Sequence, residues 1–73
     1  MSDSFKYEIT EHIATLSENG ETTKELNKVS YNGAEPKYDI RSWKRADGEE
    51  RLLKGITLTE DEMNVLKETL SKL

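Results

Sequence analysis

The chain has 73 residues, no cysteine and a net charge of −4. So short a chain makes one small domain with a modest core, for which a partner subunit is an expected source of stability, and the missing cysteines exclude disulfides, thiol catalysis and cysteine-held metals, as suits a reducing compartment. No apolar run approaches the roughly 20 residues of a membrane helix, and Met1-Ser2-Asp3-Ser4 lacks the form of a signal peptide, so the expectation is a cytoplasmic protein, nucleoid-associated if it binds DNA.

The elements can be taken in order. Phe5, Tyr7 and Ile9 alternate with Lys6, Glu8 and Thr10, the period of a half-buried strand. The apolar phase shifts at Ala14 and Leu16, which predicts a β-bulge between His12 and Ala14 and a long, curved first strand over about residues 5–17. Asn19-Gly20 marks a turn. The second strand, about 24–32, has Leu26 on one parity and Val29 and Tyr31 on the other, and ends at Asn32-Gly33. Pro36 opens the third, about 36–44, since a proline is tolerated at the first position of a strand. After Asp47-Gly48 the fourth, about 51–57, carries Leu52, Leu53 and Ile56 around Gly55.

Thr59-Glu60-Asp61-Glu62 then has the form of a capping box with an acidic first turn. It predicts a helix over about 59–72 with Met63, Leu66, Leu70 and Leu73 on one face, for packing against the sheet or a partner helix. The fold class that follows is α+β: a four-stranded curved antiparallel β-meander and one C-terminal α-helix, expected as a homodimer. A helix of this length is marginal alone, so it docks on one side of the sheet and leaves the other open.

The third strand carries the functional reading. Tyr38, Ile40 and Ser42 share one face, and Lys37, Asp39, Arg41 and Trp43 the other. The alternation predicts the first set in the core and the second in water, where an indole flanked by Lys and Arg offers stacking for bases and cations for phosphates. Charge is distributed to match: residues 24–54 hold eight Lys and Arg against six Asp and Glu, whereas the rest holds three against nine. A mixed solvated surface explains so small an excess equally well. Catalysis finds no support. His12, the one histidine, lies in a strand without a nucleophile or base to pair with, and no phosphate-binding or calcium-binding loop is present. No metal, cofactor or enzymatic activity is expected.

Asp39-Ile40-Arg41-Ser42-Trp43, a short turn, Lys54-Gly55-Ile56-Thr57-Leu58 and a capped helix together resemble the C-terminal domain of transcriptional positive cofactor four. The chain is most similar to short bacterial relatives of the YdbC type, through Lys24-Glu25-Leu26-Asn27 and residues 34–41. The resemblance implies a homodimer that binds single-stranded DNA with little sequence preference, in transcription regulation or DNA maintenance. It implies phosphate contacts from Arg41 and Lys54, stacking on Trp43 and Tyr31, and further phosphate contacts from Lys24, Lys28 and Lys37. The eukaryotic regulatory segment rich in Ser and Lys has no counterpart here, so coactivator behaviour is a weaker implication than DNA binding. RNA remains an alternative ligand, and the competing readings are a protein-interaction module or a structural dimer without nucleic acid.

Overall fold

Four strands joined by short turns pair in chain order, and one helix follows. The computed structural model describes residues 6–73. Its elements are β1 (Tyr7–Asn19), β2 (Thr22–Tyr31), β3 (Lys37–Ala46), β4 (Glu49–Leu58) and α1 (Glu60–Leu70), in one antiparallel sheet of order β1-β2-β3-β4. The expected strand start at Phe5 lies outside the described residues. β2 and β4 each begin two residues before the expected position, because their ladders continue up to two-residue turns at Gly20-Glu21 and Asp47-Gly48. Asp47 and Gly48 both have positive φ, 54° and 75°, the backbone of the hairpin turn whose twist matches that of its strands.

The shape of the sheet is set by β1. Its register against β2 slips three times, leaving Thr10, Ile13 and Leu16 without a residue opposite, where the sequence pattern predicts a single bulge. Each bulge bends its strand and adds twist. The sheet therefore curls until diagonal corners meet. Tyr7, paired with Tyr31 at one end of the sheet, places its ring 5.6 Å from that of Trp43 and donates a 2.7 Å hydrogen bond to Glu50 Oε1 at the other end.

This closure reverses the expected sidedness of β3. Trp43 and Asp39 are 0% exposed, as are Val29 and Asn27 on β2. The face predicted to stand in water is the interior, while Tyr38, Ile40 and Ser42 are only half-buried on the outside. A charged strand face can be interior here because its charges are answered. Asp39 accepts from Arg41 Nε (2.7 Å) and Nη2 (2.9 Å), from the Tyr31 hydroxyl (2.7 Å) and from Thr57 (3.1 Å), which fills the capacity of a carboxylate. Glu25 accepts from Arg45 Nη1 (2.6 Å), Asn27 Nδ2 (3.0 Å) and Thr23. Asn27 Oδ1 in turn accepts from His12 Nδ1 at 2.6 Å, so the lone histidine is a structural partner. Arg45 also bonds Glu50 and covers the Trp43 ring at 5.4 Å. The Trp43 Nε1–H is buried without an acceptor, at a cost of about 1–3 kcal/mol that the burial of a large ring must exceed.

Gly55 is required by Arg41. The two are opposite in the β3–β4 ladder, and a Cβ on Gly55 would overlap the Cβ of Arg41. The guanidinium extends further, donating to the Leu53 carbonyl at 2.9 Å. The helix begins with the capping box: Glu62 N–H donates to the Thr59 hydroxyl (3.1 Å) and Thr59 N–H to the Glu62 carboxylate (2.8 Å). Of its apolar stripe Met63 is buried and Leu66 half-buried, but Leu70 is 54% exposed, so the stripe expected to pack throughout is covered only at its start.

Two predictions follow from the interior. Arg41→Ala leaves Asp39 buried without its cation and is expected to destabilise the fold by about 3–5 kcal/mol in chemical denaturation. Burial alone would raise the pKa of Glu25, but the bonds from Arg45, Thr23 and Asn27 and the charge of Arg45 outweigh it and hold the group at about 2, against an ordinary 4.5. Because the folded value is depressed, the stabilisation is complete above pH 4.5, declines below it, and is lost as pH falls through about 2. An acid titration followed by circular dichroism should show Glu25→Gln less stable than the wild type at neutral pH, with a flatter pH dependence between those limits.

Candidate nucleic-acid interface

Residues directly opposite each other in a ladder share a face, so the register sorts the outer side of the sheet into rows. Glu11, Lys28, Tyr38 and Leu58 form one; Ala14, Leu26, Ile40 and Ile56 the next. Lys24 lies beside Ser42 in a third, and Thr22, Lys44 and Arg51 make a fourth. An apolar row thus crosses all four strands with cations on both sides. Ile56 within it is 57% exposed.

Lys54 joins this face through a bulge. Simple alternation gives Lys54 the parity of both Leu52 and Ile56, and only a distortion near Gly55 frees it. In the structure Gly55 pairs with Arg41 and Leu52 with Trp43, so two residues of β4, Leu53 and Lys54, lie opposite Ser42. Side-chain parity switches there: Leu52 turns inward and Ile56 outward. The result is a shallow depression of about 500 Å³ lined by Lys24, Ile40, Ser42, Lys54 and Ile56 and floored by the backbone of Arg41 and Gly55.

The electrostatics of the two faces differ in kind. None of Lys24, Lys28, Lys44, Arg51 and Lys54 takes part in an ion pair among the described residues. Lys28 Nζ lies 4.9 Å from the centre of the Tyr38 ring, an amphipathic pair at the surface. The interior arginines are engaged. The hydrogen bonds that Arg41 donates to Asp39 raise its pKa further above its ordinary value, and those that Arg45 donates to Glu25 act on Arg45 in the same way. Tyr31 is pushed up to about 12 by burial and by its bond to Asp39, so it remains a hydroxyl donor across the physiological range.

The sequence-predicted site is therefore divided. Lys24, Lys28 and Lys54 meet on the open face. Tyr31, Arg41 and Trp43 are on the concave side, and Lys37, exposed at the start of β3, belongs to that side by its pairing with Val29. The expectation of an exposed indole beside a free guanidinium is overturned: Trp43 is fully buried, and the Arg41 side chain is 15% exposed and bound to a wholly buried Asp39. That pair is two-pronged and its carboxylate is out of water. Tyr38, Lys44 and Arg51 are additional members of the open face. Their signal was the parity of Tyr38, Ile40, Ser42 and Lys44, continued across the turn to Arg51. Among the described residues no cluster of His, Asp and Glu is arranged to hold a metal, and no helix is long and apolar enough to cross a membrane.

Comparison with known proteins agrees with this architecture. A relative from Treponema pallidum (strain Nichols), named only as an uncharacterized protein, is 38% identical over 74 residues, an alignment that takes in all of this chain and 85% of the relative. The sequence model of the transcriptional coactivator p15 (PC4) family matches residues 18–69, from the end of β1 almost to the end of α1. With β2, β3, β4 and the capped helix matched over that span, the chain belongs to the transcriptional coactivator p15 (PC4) family.

Proposed function

We propose that this protein binds single-stranded nucleic acid, DNA in the first instance, on the open face of its sheet, and that it acts in transcription regulation or DNA maintenance. The observation that carries the reading is the group of five cations, Lys24, Lys28, Lys44, Arg51 and Lys54, that have no ion-pair partner among the described residues and stand around the apolar row and Tyr38. Phosphates sit against the ammonium and guanidinium groups while bases lie on Tyr38, Ile40 and Ile56. A stacked base contributes about 1–3 kcal/mol without its identity being read. Among the described residues Ser42 is the one side-chain hydroxyl in the depression, which gives little to read a base edge with and suits binding of low sequence preference.

The protein acts as a homodimer in this reading, through α1. Val65, Leu70 and Leu73 are 63%, 54% and 96% exposed, an apolar surface the monomer leaves uncovered. Glu60, Asp61 and Glu62 lie at one end of the helix and Lys67 and Lys72 towards the other. Two copies packed antiparallel set opposite charges side by side along the apolar seam.

Binding is tested with a labelled oligo-dT followed by anisotropy, because the buried Trp43 is a poor reporter. Lys24→Glu with Lys54→Glu should weaken binding at least tenfold, and Lys37→Glu, on the other side, less than threefold; equal losses would refute the assignment to this face. With about four phosphates contacted, the logarithm of affinity should fall with the logarithm of salt at a slope of about −3. For the dimer, Leu70→Asp should shift the mass measured by analytical ultracentrifugation to that of one chain while the circular dichroism spectrum is retained. A wild type that already sediments as a monomer at micromolar concentration would exclude the helix seam.

A further inference from the structure

Two Asn-Gly pairs stand at strand ends in this sheet, and they are held differently. Asn32 and Gly33 both have positive φ, 54° and 79°, and Ala34 N–H donates across them to the Tyr31 carbonyl at 3.0 Å. Asn32 is pinned to Lys6 twice: its N–H donates to the Lys6 carbonyl (2.7 Å) and its Oδ1 accepts from the Lys6 N–H (3.0 Å). Asn19 has no such hold. It is exposed, and its side chain makes no hydrogen bond among the described residues. It ends β1, a strand at the edge of the sheet, and only Ser17, Glu18 and Asn19 remain paired beyond the last bulge. Gly20 has φ 64° and donates no backbone hydrogen bond among the described residues. The far half of the turn is anchored, since the Glu21 carbonyl accepts from Arg45 N–H at 3.1 Å.

We infer that Asn19 is a site of spontaneous deamidation, and that the acid it becomes weakens the binding of a polyanion to the open face. The Gly20 nitrogen, with no Cβ beside it to hinder approach, attacks the side-chain carbonyl carbon of Asn19. A bond forms from that nitrogen to Cγ, the Cγ–Nδ2 bond breaks, and ammonia leaves with the proton that the Gly20 nitrogen gives up. Water then adds to one or the other carbonyl of the cyclic imide and opens it, giving aspartate or isoaspartate. No reactant but water is needed. The attack requires the turn to open locally, which costs little at the frayed end of an edge strand, whereas Asn32 must first release its two bonds to Lys6. Position supplies the consequence. Asn19 is opposite Thr22 and so shares the row of Lys44 and Arg51. Two strand spacings, about 10 Å, separate it from Lys44, which is within reach of an unscreened charge at low salt. The weakening rests on the nucleic-acid reading above; the modification does not.

The full chain is aged at neutral pH and digested with trypsin, which places Asn19 in residues 7–24 and Asn32 in residues 29–37. Mass spectrometry should show the acid accumulating about tenfold faster in the first peptide than in the second, as two isomers that separate by chromatography, and faster still at alkaline pH, where the Gly20 nitrogen loses its proton more readily. Equal rates in the two peptides, or an Asn19 that stays an amide, overturn the site. Labelled oligo-dT is then titrated at low salt with wild type, Asn19→Asp and Asn19→Gln, with thermal melts to confirm folding. Asn19→Asp should bind about twofold more weakly, and Asn19→Gln as the wild type does. No loss in Asn19→Asp, or an equal loss in Asn19→Gln, overturns the weakening by charge. A wild type that binds no oligo-dT overturns the nucleic-acid reading and the weakening with it, while the peptide masses still decide the modification.

Discussion

The bond that the rest of this molecule depends on is the fork of Arg41 on Asp39. A carboxylate with no exposed surface is tolerable only when every lone pair is used, and Asp39 spends its own on Arg41, Tyr31 and Thr57. Those donors come from β2, β3 and β4, so satisfying one charge fixes the relative placement of three strands. Glu25 acts similarly nearer the β3–β4 turn, drawing in Arg45 and, through Asn27, His12 of β1. A 73-residue chain has too little apolar volume for a conventional core. Here a satisfied polar network around Trp43 and Val29 occupies that place.

This arrangement also explains the division of the cations. Guanidinium groups are planar, offer several fixed donors and are weakly hydrated, which suits them to bidentate pairing out of water; an ammonium is compact and strongly hydrated. In this sheet Arg41 and Arg45 turn to the concave side and hold carboxylates, while Lys24, Lys28, Lys44 and Lys54 remain outside with Arg51. The interior is held by the residues that look most like phosphate ligands in the sequence. The ones left without a carboxylate partner among the described residues are mostly the lysines around them.

Much of the fold was legible because its signals are local. Asn19-Gly20 and Asp47-Gly48 announced turns through the φ their glycines permit, and Thr59 and Glu62 announced the helix through a bond three residues long. Which face of the sheet is inside is not a local property. Alternation separates Asp39, Arg41 and Trp43 from Tyr38 and Ile40, but it carries no sign, and hydropathy suggested the wrong one. Sidedness was decided by contacts remote in sequence: Tyr7 reaching Trp43 and Glu50, and Tyr31 and Thr57 converging on Asp39. Lys54 was ambiguous for a related reason, since a bulge inverts parity and the sequence does not say at which residue it falls.

Bulges connect the two sides of this protein. A one-residue slip in register turns a strand's side chains over, and the sheet uses such slips at both edges to opposite effect. Three in β1 curl it inward and close the interior over Trp43; one in β4 lets Leu52 serve the core while Lys54 and Ile56, only a few residues on, serve the outer face. Gly55 stands at that crossing, where the strand must pass close beneath Arg41. The backbone that admits the arginine to its carboxylate is the same backbone that floors the depression between Lys24 and Lys54. A change that relaxed one would therefore reshape the other, so stability and the outer surface are not separable in this stretch of β4.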